Sequence, residues 1–179
     1  MKNYPIIASI TIDEQIAQAV ASDVKRVILM TGNITNLRTI IESLHLSGKQ
    51  VYVHTEMVAG IGRDASAIQY LADVFKVDGI VTTKSNAVAA AKQAGILSIQ
   101  RIFAIDTAAV ETAIRMITSC KPDEVELMPG LMPRVIEELK ERISQPLIVG
   151  GLIRHEQEIE QALQSGADFV SIGHARFWS

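Results

Sequence analysis

Residues 146–174 read PLIVGGLIRHEQEIEQALQSGADFVSIGH. A short apolar run, 146–149, stops at Gly150-Gly151. A helical stretch follows from Glu156 to Gln164 and is ended by Gly166. A second short run, Phe169 to Ile172, then stops at Gly173-His174. Strand, helix, strand with no hairpin turn between the strands is the pattern of a parallel pair joined by a helical crossover.

The same unit recurs toward the N-terminus. Further strands are expected over 5–10, 26–30, 50–54, 79–82, 98–105 and 124–128. The helix over 13–21 carries Ile16, Ala17 and Val20 on one face, with Asp13 as its N-cap. The next carries Leu37, Ile40, Ile41 and Leu44 and is closed by Gly48. Helices over 65–75, 84–93 (ended by Gly95), 107–120 and 133–143 complete the alternation. Eight strands alternating with helices imply an α/β fold, a compact (β/α)8 TIM-type barrel of parallel strands forming a single domain over residues 1–179. The rival is an open doubly wound sheet of five or six strands, as expected if some of the short runs are not strands. Only Gly173 to Ser179 remain after the eighth run, so a full last helix is not expected.

Composition narrows the function. With 48% hydrophobic and 21% charged residues the chain is an ordinary globular sequence. A net charge of −3 gives no bulk attraction to nucleic acid, and 4% aromatics are too few for a base-stacking platform. The single cysteine, Cys120, cannot form an internal bridge, which fits a reducing, cytoplasmic setting. No apolar run is long enough to span a membrane, so no membrane association is expected.

Barrels of this kind place their sites at the C-terminal ends of the strands. Gly150, Gly151, Gly173 and His174 follow the seventh and eighth runs, where such folds commonly bind phosphate. Glycine lets backbone amides approach an oxyanion without a Cβ in the way; the alternative is that these glycines only permit tight turns. His54 and Glu56 share one side of the strand that ends at His54, where imidazole and carboxylate can orient a polyol or exchange protons. A buried structural His–Glu pair is the alternative. Lys84 opens a helix and offers a counter-charge for phosphate, or is a solvated helix-start lysine. Arg101 lies inside a strand, where a charge facing the lumen needs a carboxylate, and Glu126 on the neighbouring run is the nearest candidate. Asp106 is expected to cap the following helix. No metal ligand set, P-loop, dinucleotide fingerprint or Ser–His–Asp spacing is present, and no cofactor is expected.

In order along the chain stand HTEMVAGIGRD from His54 to Asp64, DGIVTTK from Asp78 to Lys84, QRIF from Gln100 to Phe103, ELMPGLMP from Glu126 to Pro133, and GGLI from Gly150 to Ile153. Together these segments resemble the glycerol uptake operon antiterminator regulatory proteins. The resemblance runs from the strand at Pro5 to Trp178 and departs in two places. Glu56 stands where the family is expected to carry aspartate, and 171–178 differ from its Ser/Thr-rich ending. The resemblance implies a small barrel that senses glycerol 3-phosphate, acts on leader mRNA to favour antitermination, and is not an enzyme. Gly150, Gly151, Gly173 and His174 would then face the phosphate, and His54, Glu56, Lys84, Arg101 and Glu126 the polyol. RNA would need cations gathered on one face, as a homodimer could supply. The competing readings are an isomerase or lyase acting on a phosphorylated substrate, with His54 or Glu56 as base, and a ligand-binding module with a protein partner.

Overall fold

A computed structural model describes residues 4–179. The strands are β1 (Ile6–Ile10), β2 (Arg26–Leu29), β3 (Gln50–His54), β4 (Gly79–Thr82), β5 (Leu97–Phe103), β6 (Glu124–Met128), β7 (Leu147–Gly150) and β8 (Phe169–Ile172). Between them run α1 (Glu14–Ala21), α2 (Leu37–Leu46), α3 (Ala65–Asp73), α4 (Ser85–Ala94), α5 (Thr107–Cys120), α6 (Pro133–Arg142) and α7 (Glu156–Gln164). All eight strand pairs are parallel, and β8 pairs with β1, so the sheet closes into a barrel in chain order. The open-sheet alternative is thereby excluded.

Among the described residues no α-helix follows β8. A single 3-10 turn, Ala175–Phe177, takes its place. Trp178 closes the seam: its indole is buried and donates to the Ile172 carbonyl at 2.9 Å.

Local chemistry fixes the element ends. Asp64 and Asp106 cap α3 and α5 by accepting from Ala67 N (2.9 Å) and Ala109 N (2.8 Å). Gly95 ends α4 in the left-handed conformation. Asp13 sits at the start of α1 but does not cap it with its side chain, which accepts instead from Thr31 Oγ1 at 2.8 Å. Gln15 serves the loop amides there, taking Thr11 N at 2.8 Å.

A regular staple sets the strand register. Asp78, Asp123 and Asp168 each stand just before an even-numbered strand and accept from the first amides of the strand before it. The bonds are Val51 N to Asp78 (2.7 Å), Ser98 N to Asp123 (2.8 Å) and Leu147 N to Asp168 (2.7 Å). These aspartates recur once every second βα unit, a repeat the hydrophobic pattern alone does not reveal.

Alternation along each strand divides the interior. Outward residues such as Ala8, Val27, Leu29, Val53, Ile80, Leu127 and Val149 pack under the helices. Inward residues Ile7, Ile28, Tyr52, Val81, Ile99 and Ile148 fill the lumen. Below them Arg26 pairs with both oxygens of Glu124, its guanidinium between the rings of Tyr52 (5.0 Å) and Phe169 (4.9 Å). Gly79 is required here, because a Cβ would lie 2.5 Å from Tyr52 Cε1. Above the apolar layer the inward residues turn polar: Ser9, His54, Arg101, Glu126 and Ser171, all buried.

Candidate functional site

Arg101 and Glu126 are register partners on β5 and β6. Their side chains are 6% and 0% exposed, and Arg101 Nε donates to Glu126 Oε2 at 2.7 Å. Glu126 Oε1 accepts from Ser171 Oγ at 2.6 Å. Burying an ion pair stabilises only if the remaining hydrogen-bonding capacity is met. The carboxylate meets that condition. The guanidinium does not: both terminal nitrogens, Nη1 and Nη2, reach only the Met30 sulfur, at 3.5 Å each.

His54 adds a second underused group. Its side chain is 4% exposed, its Nδ1 lies 3.4 Å from Glu56 Oε2, and Nδ1 has no hydrogen-bond partner. Burial first, and the neighbouring Arg101 charge second, push its pKa down to about 4 against the opposing pull of Glu56 and Glu126. The imidazole is therefore neutral at physiological pH. Glu56 is held in place by the end of β4. Its Oε1 accepts from Thr82 Oγ1 (2.5 Å) and Thr55 Oγ1 (3.1 Å), and its Oε2 from Thr83 N (3.3 Å).

Beside this cluster, at the C-terminal ends of β7, β8 and β1, lies a cavity of about 220 Å3. Ser9, Thr11, Met30, Gly151, Ser171 and Gly173 are among its lining residues. Gly151 and Leu152 are successive left-handed residues, with φ of 79° and 65°. The amides of Leu152, Ile153 and Gly173 donate to no other group among the described residues. Free amides around a small concavity, with hydroxyls opposite, have the chemistry of an anion pocket.

The residues singled out in the sequence separate into two sets. Gly151 and Gly173 share the cavity, and His54, Glu56, Arg101 and Glu126 share the polar cluster beneath the mouth. Gly150 has a different reason to be glycine. It is the last residue of β7, and a Cβ there would fall 2.0 Å from Ser171 Oγ. It makes room for the serine that holds Glu126. His174 is exposed, its ring packed edge-on against Phe177 at 6.1 Å, and is not among the cavity's lining residues. Lys84 is exposed at the start of α4 and makes no ion pair among the described residues. Ser9, Ser171 and Met30 went unassigned from sequence. The signal for Ser9 and Ser171 was there, since each lies on the inward alternation of its strand. No group of three or more His, Cys, Asp or Glu able to hold a metal occurs among the described residues.

A closed (β/α)8 barrel with a cavity at the C-terminal ends of its strands belongs to the class of barrels that work at that face. Within that class the chain belongs to the glycerol-3-phosphate responsive antiterminator family, whose model matches residues 6–178. It is similar to the glycerol uptake operon antiterminator regulatory protein of Listeria monocytogenes, with a TM-score of 0.94 and 29% identity over 99% of this chain and 96% of that one. A glycerol uptake operon antiterminator-related protein of Thermotoga maritima superposes with a TM-score of 0.86 and 29% identity, over 99% of both chains. The uncharacterized protein YgcP of Escherichia coli K12 is 28% identical over all of this chain and 94% of its own length. No helix among the described residues is long and apolar enough to cross a membrane.

Proposed function

We propose that this protein is a cytoplasmic regulator that binds glycerol 3-phosphate at the C-terminal mouth of the barrel. In response it acts on leader mRNA of glycerol-utilisation genes to favour antitermination. The observation that carries the ligand half is the cavity in which Gly151 and Gly173 face Ser9 and Ser171 with unused amides between them. The phosphate sits on those amides, and the glycerol end points toward His54, Arg101, Glu56 and Glu126. Lys84, exposed at the mouth, contributes a long-range positive field rather than a direct contact. The RNA half rests on family membership. A homodimer would gather the exposed cations that an acidic monomer disperses.

Calorimetry with glycerol 3-phosphate, glycerol and inorganic phosphate tests the site. Saturable binding of the phosphorylated polyol by wild type, lost in Gly151→Val, supports it. At that position the valine is forced into a left-handed backbone against the pocket wall. Equal binding by both proteins refutes the phosphate placement. A mobility shift of leader RNA that responds to the ligand and weakens steeply with salt tests the second half.

A second reading has one observation in its favour. A neutral, buried His54 with an unpaired Nδ1 has the form of a general base, so the barrel could instead turn over a phosphorylated substrate as an isomerase or lyase. Consumption of glycerol 3-phosphate or of related sugar phosphates, abolished in His54→Gln, would establish that reading.

A further inference from the structure

Met30 stands between the cavity and the buried ion pair. It follows the last residue of β2, lines the 220 Å3 cavity, and places its sulfur 3.5 Å from both Nη1 and Nη2 of Arg101. Ser171 occupies the matching position over Glu126, but there the contact is a full hydrogen bond of 2.6 Å. The two contacts are unequal in strength. A hydroxyl donating to a carboxylate is a charge-assisted bond, whereas a thioether is a weak acceptor for a guanidinium. The planar fork of an arginine is built to hold two oxygens side by side. In this structure that fork is occupied by one soft atom on a flexible, unbranched side chain that repacks at low cost.

We propose that Met30 is a displaceable plug and the specificity-determining residue of this site: the glycerol end of the ligand replaces its sulfur on Arg101 Nη1 and Nη2. The inference rests on the ligand placement proposed above and extends it to which ligands the inner end accepts. The cluster around the fork carries the Arg101 charge, two carboxylates in Glu56 and Glu126, and a neutral His54. It therefore holds one more negative charge than positive. A vicinal diol suits it, because its oxygens accept from the fork while its hydroxyl hydrogens face the carboxylates. A carboxylate in the diol's position would have to share the single Arg101 charge with Glu126 and Glu56, leaving two more negative charges than positive in the cluster. The ligand class is thus a small phosphate monoester with a neutral polyol tail, and Met30 sets the energetic threshold for entry of that tail.

The experiment follows the methionine methyl groups directly. The chain has six methionines, so protein labelled with 13C at the methionine methyls gives a countable spectrum. The Met30 resonance is identified by its loss in Met30→Leu, which keeps the apolar volume. Wild type is titrated first with inorganic phosphate, which fills only the amide pocket, and then with glycerol 3-phosphate. The expected result is a large displacement of the Met30 methyl signal by glycerol 3-phosphate and a small one by phosphate. Met30→Ala, which removes the plug, is expected to bind glycerol 3-phosphate about five- to tenfold more tightly and phosphate within about twofold of wild type. The carboxylate analogue 3-phosphoglycerate is expected to bind wild type at least about tenfold more weakly than glycerol 3-phosphate. If glycerol 3-phosphate binds saturably and leaves the Met30 methyl unmoved, or if Met30→Ala alters both ligands equally, the plug is refuted while the site stands. If neither ligand binds wild type, the site itself fails and the plug with it.

Discussion

The lumen holds two arginine–glutamate pairs, and they differ in what is left over. At the lower end Arg26 spends both terminal nitrogens on Glu124, and Tyr52 and Phe169 cover its two faces. Burial pushes the Tyr52 hydroxyl up to about 12, so that ring stays neutral. At the upper end Arg101 spends only Nε on Glu126 and leaves its fork against a methionine sulfur. The same residue types, on inward strand positions, make an aromatic-covered pair across the lumen from β2 to β6 below and an unfinished site on the adjacent β5 and β6 above. The lower pair leaves only the buried Arg26 Nε unpaired, whereas the upper pair leaves a whole two-pronged fork against a methionine that lines the cavity, and that fork marks the functional end.

The largest expected effect comes from separating the upper pair. Glu126→Ala strands a buried guanidinium and should lower stability by about 3–5 kcal/mol in urea unfolding. Replacing both members of the lower pair, Arg26→Met with Glu124→Leu, should by contrast be close to neutral and leave ligand binding intact. If the two changes cost the same, the contrast between the ends fails.

His54 gives a pH test of the upper end. The folded protein holds its pKa near 4, below the ordinary value of 6.5, so the unfolded chain takes up the proton first as pH falls. The contribution is full above about pH 6.5 and is lost progressively toward pH 4, by up to about 3 kcal/mol. Unfolding curves across that window should flatten in His54→Gln.

A smaller effect is expected at Gly150. Gly150→Ala forces Ser171 off Glu126 and should cost about 2 kcal/mol. Combining it with Ser171→Gly removes the side-chain clash and leaves only the residue 171 carbonyl oxygen at 3.0 Å, so the two losses should not add. Additive losses would mean that the close approach does not matter.

The barrel was legible in the sequence because each short β-branched run carries its own start and stop. The β3, β4, β6 and β8 spans fall where the hydrophobic runs place them. The fifth strand ends at Phe103 rather than 105, because Asp106 turns outward to cap α5 and the chain must leave the sheet before it. Arg101 and Glu126 could be paired from sequence, since a charge inside a strand demands a partner. Gly150 could not be read correctly. Its glycine answers to a serine on the next strand, a contact that local pattern does not encode. His174 looked like part of a glycine turn, but it opens the 3-10 turn Ala175–Phe177 and its exposed ring packs on Phe177. Met30 gave no signal at all, because a methionine ending an apolar run reads as core.

The most direct test of the account is a crystal structure of the protein with glycerol 3-phosphate. The phosphate should lie on the amides near Gly151 and Gly173, with the glycerol oxygens on Arg101 and the Met30 side chain moved aside. A phosphate seated instead in the groove of about 600 Å3 at the N-terminal ends of β1, β2 and β8, beside Arg176 and Trp178, would contradict it.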